Sequence, residues 1–280
     1  MHYQIKKFFI LLFFYFIFIF NIFSILDATI QPKILKSVNN KLNTKIFHVE
    51  KFVGEQLQYK IYWGFIYAAD AGLNVNKINK KMVKFCLWAK TAPVVKWIYP
   101  ARDVVCSTVI IPGPKPIHYH KDSKEGWRSR KIIDVIFKNN KCFYYKNKKL
   151  KNILEIKNPV QDPLSAFFVF RCLDFSHSPV HIMMTDGKHI VQGEIYVLGK
   201  QTITTPAGKF KTILIEPKLY GLKGIFEKSP NAKILVWLTD DKWRIPVKMS
   251  SKVIVGHFCA ELVSYKLKET EEKDIKEEMK

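Results

Sequence analysis

The chain has 280 residues, 48% of them hydrophobic, enough for a substantial core and too many for a disordered chain. Its 46 basic residues stand against 24 acidic ones, a formal charge of +22 that points to polyanionic partners. Nucleic acid would head that class, but the first residues exclude it.

Met1 to Ile5 lead into Lys6 and Lys7, and then Phe8 to Leu26 carries only Asn21 and Ser24 as polar residues. A charged start before an apolar run is the pattern of a secretory signal. Roughly 20 apolar residues also suffice to cross a bilayer as a helix. With the lysines in front, the rest of the chain is expected outside the cytoplasm. Residues 1–26 therefore read as a signal peptide or an N-terminal membrane anchor, with Ser24 and Ala28 the best small residues for a cleavage site. The protein is expected to be periplasmic or held at the inner membrane. Anionic lipid head groups and envelope polymers are the compatible partners for its charge. The plainer reading of that charge is compositional, because the basic residues are nearly all lysine; the arginines are Arg102, Arg128, Arg130, Arg171 and Arg244.

Residues 27–52 read as a linker. From Leu57 the pattern becomes β: Leu57 to Trp63, Ala71 to Asn76 and Val83 to Lys90 alternate with period two, and Asn79-Lys80-Lys81 makes a turn between the last two. Pro93 to Tyr99 reads as a short helical turn. Ile132 to Phe137 and Cys142 to Tyr145 flank a second turn. His181 to Thr185 and His189 to Leu198 flank Asp186-Gly187, whose glycine supplies the positive φ of a tight turn. Phe210 to Glu216, Ile234 to Thr239, Ile245 to Val255 and His257 to Lys266 complete about ten or eleven strands. Such spacing predicts a barrel, half-barrel or strongly curved sheet.

Residues 162–174 break this pattern. Asp162 stands at an N-cap position and Pro163 at the first helical position, and the body is apolar almost all round. A helix apolar on every side is buried. The fold class is thus mainly β: a single antiparallel, strongly curved sheet over residues 53–267 with one buried helix in its concavity. Residues 268–280 form a charged tail. The cysteines Cys86, Cys106, Cys142, Cys172 and Cys259 contain no C-x-x-C pair, and their odd number leaves at least one thiol free. Buried free thiols are the expected state, with one Cys86–Cys106 bridge as the alternative.

Four stretches carry a family likeness: Gly54-Glu55-Gln56-Leu57-Gln58-Tyr59 leading to Trp63-Gly64; Asp162-Pro163-Leu164-Ser165-Ala166 with Arg171; Thr205-Pro206-Ala207-Gly208-Lys209-Phe210; and Trp237-Leu238-Thr239-Asp240-Asp241 with Arg244-Ile245-Pro246-Val247. With these the chain resembles the bacterial exported family known as domain of unknown function 3108. The family brings no established activity. Its arrangement is also similar, at the level of fold alone, to the open half-barrels of periplasmic lipoprotein carriers.

No catalytic motif is present: there is no G-x-S-x-G elbow, and Asp162 and Ser165 read as helix capping. His118-Tyr119-His120 would put two imidazoles on one strand face, but no third ligand sits at a telling distance in the sequence, so no metal or other cofactor is expected. Asp240-Asp241 reads as a turn. Arg171 is the unusual residue, a permanent charge on an apolar helix, which either pairs with a carboxylate or anchors an anion. If it is merely paired in the core, Arg171→Met should be near neutral. Among the aromatics Trp63, Tyr67, Trp88, Trp97, Tyr99 and Trp237, most read as core. The candidate ligand-binding set is Trp63, Trp88, Phe167, Phe168, Arg171 and Trp237. The expected function is that of a non-enzymatic envelope protein binding a lipid or other apolar ligand in the concave face. A structural or interaction module of the envelope is the alternative, and an uncharacterised hydrolase the third reading.

Overall fold

The computed structural model describes residues 47–176, 178–219, 233–253 and 256–268. The signal or anchor segment, most of the linker and nearly all of the charged tail lie outside these residues.

Fourteen strands form one sheet: β1 Gln56–Trp63, β2 Ile66–Asn79, β3 Met82–Thr91, β4 Ala101–Ile110, β5 Lys115–Glu125, β6 Ser129–Lys138, β7 Lys141–Lys146, β8 Lys149–Glu155, β9 Val180–Thr185, β10 Ile190–Thr205, β11 Gly208–Leu219, β12 Lys233–Thr239, β13 Pro246–Val253 and β14 Gly256–Lys266. Two short helices interrupt the run, α1 Pro93–Lys96 and α2 Pro163–Phe170. The strand order is β8-β7-β6-β5-β4-β3-β2-β1-β14-β13-β12-β11-β10-β9, every neighbour antiparallel. β1 and β14 pair at the centre, and β8 and β9 are the edges of a sheet that curls without closing. Near the open seam Gln161 makes a parallel bridge with Met184, and Asn152 on β8 donates to the carbonyl of Gly187. Among the described residues no helix is long and apolar enough to cross a membrane.

Alternation builds the core. Leu57, Tyr59 and Ile61 on β1 and Val83, Phe85, Leu87 and Ala89 on β3 turn inward and are buried. On the outer face Trp88 lies flat across Gly72 of β2, where a β-carbon would stand 2.5 Å from the indole, so only glycine fits beneath it.

Hydrophobic alternation does not mark β4, β5 or β8 as full strands, for two reasons. β4 turns Asp103 and Ser107 inward, β5 turns Lys121 and Ser123 inward, and β8 is an exposed polar edge. Alternation read from hydrophobicity fails where polar side chains point into the core, as in β4 and β5, and where neither face is buried, as in β8. Cys86 and Cys106 face each other across β3 and β4 on the outer face and form a disulfide. Cys142, Cys172 and Cys259 remain free. The expectation that all the thiols stay free is therefore corrected in favour of its alternative.

α2 is shorter than the 162–174 span expected. Asp162 caps it, its carboxylate accepting from the Leu164 and Ser165 N–H groups at 2.9 Å, and Pro163 occupies the first turn. At the other end Cys172 and Leu173 donate to the carbonyls of Val169 and Phe170, three residues back, which tightens the last turn and ends the helix.

Candidate functional site

α2 packs against β4 and β9. Leu164, Ser165, Ala166, Phe167, Phe168 and Val169 are all buried. The Phe168 ring stacks on Phe85 at 3.9 Å between centroids and tilts against Phe52 at 5.4 Å. Just past the helix, fully buried Arg171 makes a two-pronged ion pair with Glu55, Nη1 to Oε1 at 2.7 Å and Nη2 to Oε2 at 2.6 Å. Its Nε donates to the Arg244 carbonyl and Nη2 to that of Trp243. Four of the five guanidinium donors are thus spent within the chain. Asp162 is also internal: Ser107 donates to its second oxygen, while burial, outweighing these hydrogen bonds, pushes the carboxyl upward.

Three of the four stretches that carry the family likeness meet at this ion pair. Glu55 comes from the first, Arg171 follows the capped helix, and the accepting carbonyls precede Ile245-Pro246. Tyr59 of the first stretch donates to the Pro246 carbonyl of the fourth, and Asp241 accepts from the N–H groups of Trp243 and Arg244 to shape the turn. These residues hold the framework together.

The three tryptophans in the candidate set do not join the helix. Trp88 and Trp237 occupy the outer face, the latter with Lys248 Nζ 6.0 Å from its ring. Trp63 shares the face of Ile61 but stands at the far end of β1, over Gly256. Only Phe167, Phe168 and Arg171 come together.

A different feature was missed from the sequence. In an antiparallel meander alternate connections fall at the same end. The β1–β2 turn, the β3–β4 connection with α1, and the β5–β6 turn therefore share one rim, spaced about 10 Å apart. Their tips are apolar and bare: Phe65 is 95% exposed, Trp97 86% and Trp127 68%, with Val94 and Ile98 beside them. The connections brace one another. Ala92 donates to the Ala68 carbonyl, and Gly126 lies so close to Tyr99 that an added β-carbon would stand 3.2 Å from the ring. Exposed basic residues, Lys90, Lys96, Arg102, Lys124 and Arg128, are interleaved with the apolar tips. In the sequence the signal was a set of aromatics beside glycine or proline in turns, visible only once the turns were known to share an end.

On the outer face His118 and His120 of β5 meet Asp134 of β6, the cluster among the described residues with a metal-ligand donor set. Burial raises the Asp134 carboxyl, but hydrogen bonds from both imidazoles outweigh it and leave it below the usual range. Ser250 Oγ lies 2.7 Å from His257 Nε2 across β13 and β14, yet among the described residues no carboxylate orients that imidazole. Burial pushes the free thiols up, Cys142 to about 12 and Cys259 to about 11, so they stay protonated at neutral pH.

A family model described as Protein of unknown function (DUF3108) matches residues 58–263. The chain belongs to this family. No curated protein matches it. Among solved structures, a β-barrel-like protein of domain of unknown function DUF1849 from Brucella abortus superposes with a TM-score of 0.54 at 10% identity, over 78% of this chain and 99% of that one. A hypothetical protein from Chlamydia trachomatis gives 0.36 at 8% identity, over 78% and 89%. A protein from Bacteroides fragilis described as exported gives 0.32 at 10%, over 79% and 100%. At these identities the likeness to the Brucella protein is one of fold.

The DUF3108 sheet also buries charge. Lys121 is 2% exposed, its Nζ 4.0 Å from buried Asp103, which accepts from Ser123. Burial, only partly offset by Asp103, brings the Lys121 ammonium down to about 8 from its ordinary 10.5. Between these values the unfolded chain holds a proton that the folded chain has released, so stability rises with pH. Relative to Lys121→Gln, the wild-type chain is expected to gain about 3 kcal/mol between pH 8 and 10.5. Urea denaturation at several pH values checks this; parallel curves for the two proteins would refute it.

Proposed function

We propose that this protein is a non-enzymatic component of the cell envelope that docks on an anionic lipid surface through the rim bearing Phe65, Val94, Trp97, Ile98 and Trp127. The observation that carries this reading is the exposure of apolar side chains at successive connections of one sheet end, with Lys and Arg between them. Monomeric proteins rarely leave such groups together in water without a use. Tryptophan and phenylalanine settle at the boundary of head groups and acyl chains, and each nearby Lys or Arg adds about 1 kcal/mol on an anionic membrane. The N-terminal apolar segment, which directs the chain to the envelope, supplies the surface. Lipid is then met as a surface at the rim, while α2, with residues 164–169 buried, occupies part of the concave face.

Co-sedimentation with vesicles tests this, using the chain without residues 1–26 so that the apolar segment does not bind in place of the rim. Binding to vesicles containing phosphatidylglycerol is expected to weaken at least about tenfold in the double variant Phe65→Ser/Trp97→Ser, since burying each ring contributes on the order of 1.5–3 kcal/mol. It should also weaken as salt rises. Equal binding by the variant, or equal binding to uncharged vesicles, would sink the proposal.

A further inference from the structure

The register of β5 and β6 creates a site that the linear sequence conceals. His118 and His120 are two positions apart and share the outer face of β5, while Asp134 lies directly across from His120. His118 Nε2 is 2.9 Å and His120 Nδ1 2.8 Å from the same oxygen, Asp134 Oδ1. All three side chains reach solvent.

We propose that His118, His120 and Asp134 form a binding site for a divalent transition ion of the Zn²⁺ class. Two imidazoles rarely aim at one point unless something there requires both. In the metal-free chain the shared carboxylate oxygen does, accepting an N–H from each ring. When an ion binds, the proton of each neutral ring moves through solvent to its other nitrogen, His118 Nδ1 and His120 Nε2, and the ion takes the freed lone pairs together with the carboxylate. Zinc holds such ligands at about 2.0–2.2 Å, so neighbouring ligand atoms in a tetrahedral site stand roughly 3.3 Å apart. The nitrogens therefore need to spread from Asp134 by only about half an ångström. Two imidazoles and one carboxylate favour Zn²⁺ and Cu²⁺ over Ca²⁺ and Mg²⁺, which prefer oxygen throughout.

The surroundings hold the site in place. Its ligands sit on paired strands and not on loops. Cys106, opposite His120 on β4, is tied to β3 by the disulfide with Cys86. Asp122, the next outward carboxylate on β5, is engaged by both Nε and Nη2 of Arg130. It is thus no fourth ligand, and the solvent side is left to a water molecule or a donor from a partner. Three protein ligands leave one coordination position open, whereas closed four-ligand sites hold an ion for structure.

The test uses the full-length chain in detergent, stripped with a chelator and titrated with Zn²⁺ against a competing chelating dye. One equivalent is expected to bind saturably, with Cu²⁺ binding more tightly and Ca²⁺ and Mg²⁺ not competing. His118→Ala/His120→Ala should lose this binding, Asp134→Asn should weaken it at least about tenfold, and His181→Ala should leave it unchanged. Because variants on one strand pair can disturb folding, a second measurement uses the unsubstituted chain: Zn²⁺ should protect His118 and His120 from diethyl pyrocarbonate, read peptide by peptide. No saturable binding, binding that survives the double substitution, or an absence of protection would each overturn the proposal.

Discussion

Arg171→Met is expected to lower stability by about 3–5 kcal/mol, because it leaves the Glu55 carboxylate buried with no opposing charge. A paired core charge might be thought replaceable at little cost, and that holds only when both partners go. Here the loss is compounded by the Arg244 and Trp243 carbonyls, which the guanidinium also satisfies. The guanidinium further lies over the Phe52 ring at 4.0 Å, so its removal disturbs the aromatic layer beneath α2. The double variant Glu55→Met/Arg171→Met should recover much of the loss and remain about 1–3 kcal/mol below wild type, the cost of carbonyls left without donors. Urea denaturation of the three proteins measures this. A near-neutral Arg171→Met would show that Glu55 is relieved by water or protonation and that the pair does not hold the framework.

Phe168→Ala is expected to cost about 3–5 kcal/mol, as for a large aromatic removed from a closed core. The ring has no exposed surface and is stacked on Phe85, with Phe52 and Phe167 against it. The shift in thermal melting should be the same with and without extracted envelope lipid. A much smaller cost, or one that lipid abolishes, would mean that α2 borders a ligand cavity. It would return the function to the hollow and remove it from the rim.

What was legible in the sequence was whatever depends on local pattern. Alternation marked most of the strands, and Asp162-Pro163 before an all-apolar run marked α2 and its burial. Those signals are local because side-chain direction on a strand, or a cap on a helix, is settled within a few residues. Where polar groups turn inward, as at Asp103, Ser107, Lys121 and Ser123, the pattern is silent: β4 carries no strand signal, and β5 shows only at His118-Tyr119-His120. Arg171 could be recognised as a charge needing a partner, but Glu55 lies 116 residues away and nothing local couples the two. The same holds for Asp134, which becomes a neighbour of His118 and His120 only through the pairing of β5 with β6. It holds as well for Phe65, Trp97 and Trp127, which separate turns carry to one rim because antiparallel strands return every second connection to the same end. The amino-acid sequence by itself determined most of the elements, the buried helix and the family. Which charges meet, which rings are bare and which imidazoles share a carboxylate were decided by strand register, since register joins residues whose separation along the chain carries no energetic signal.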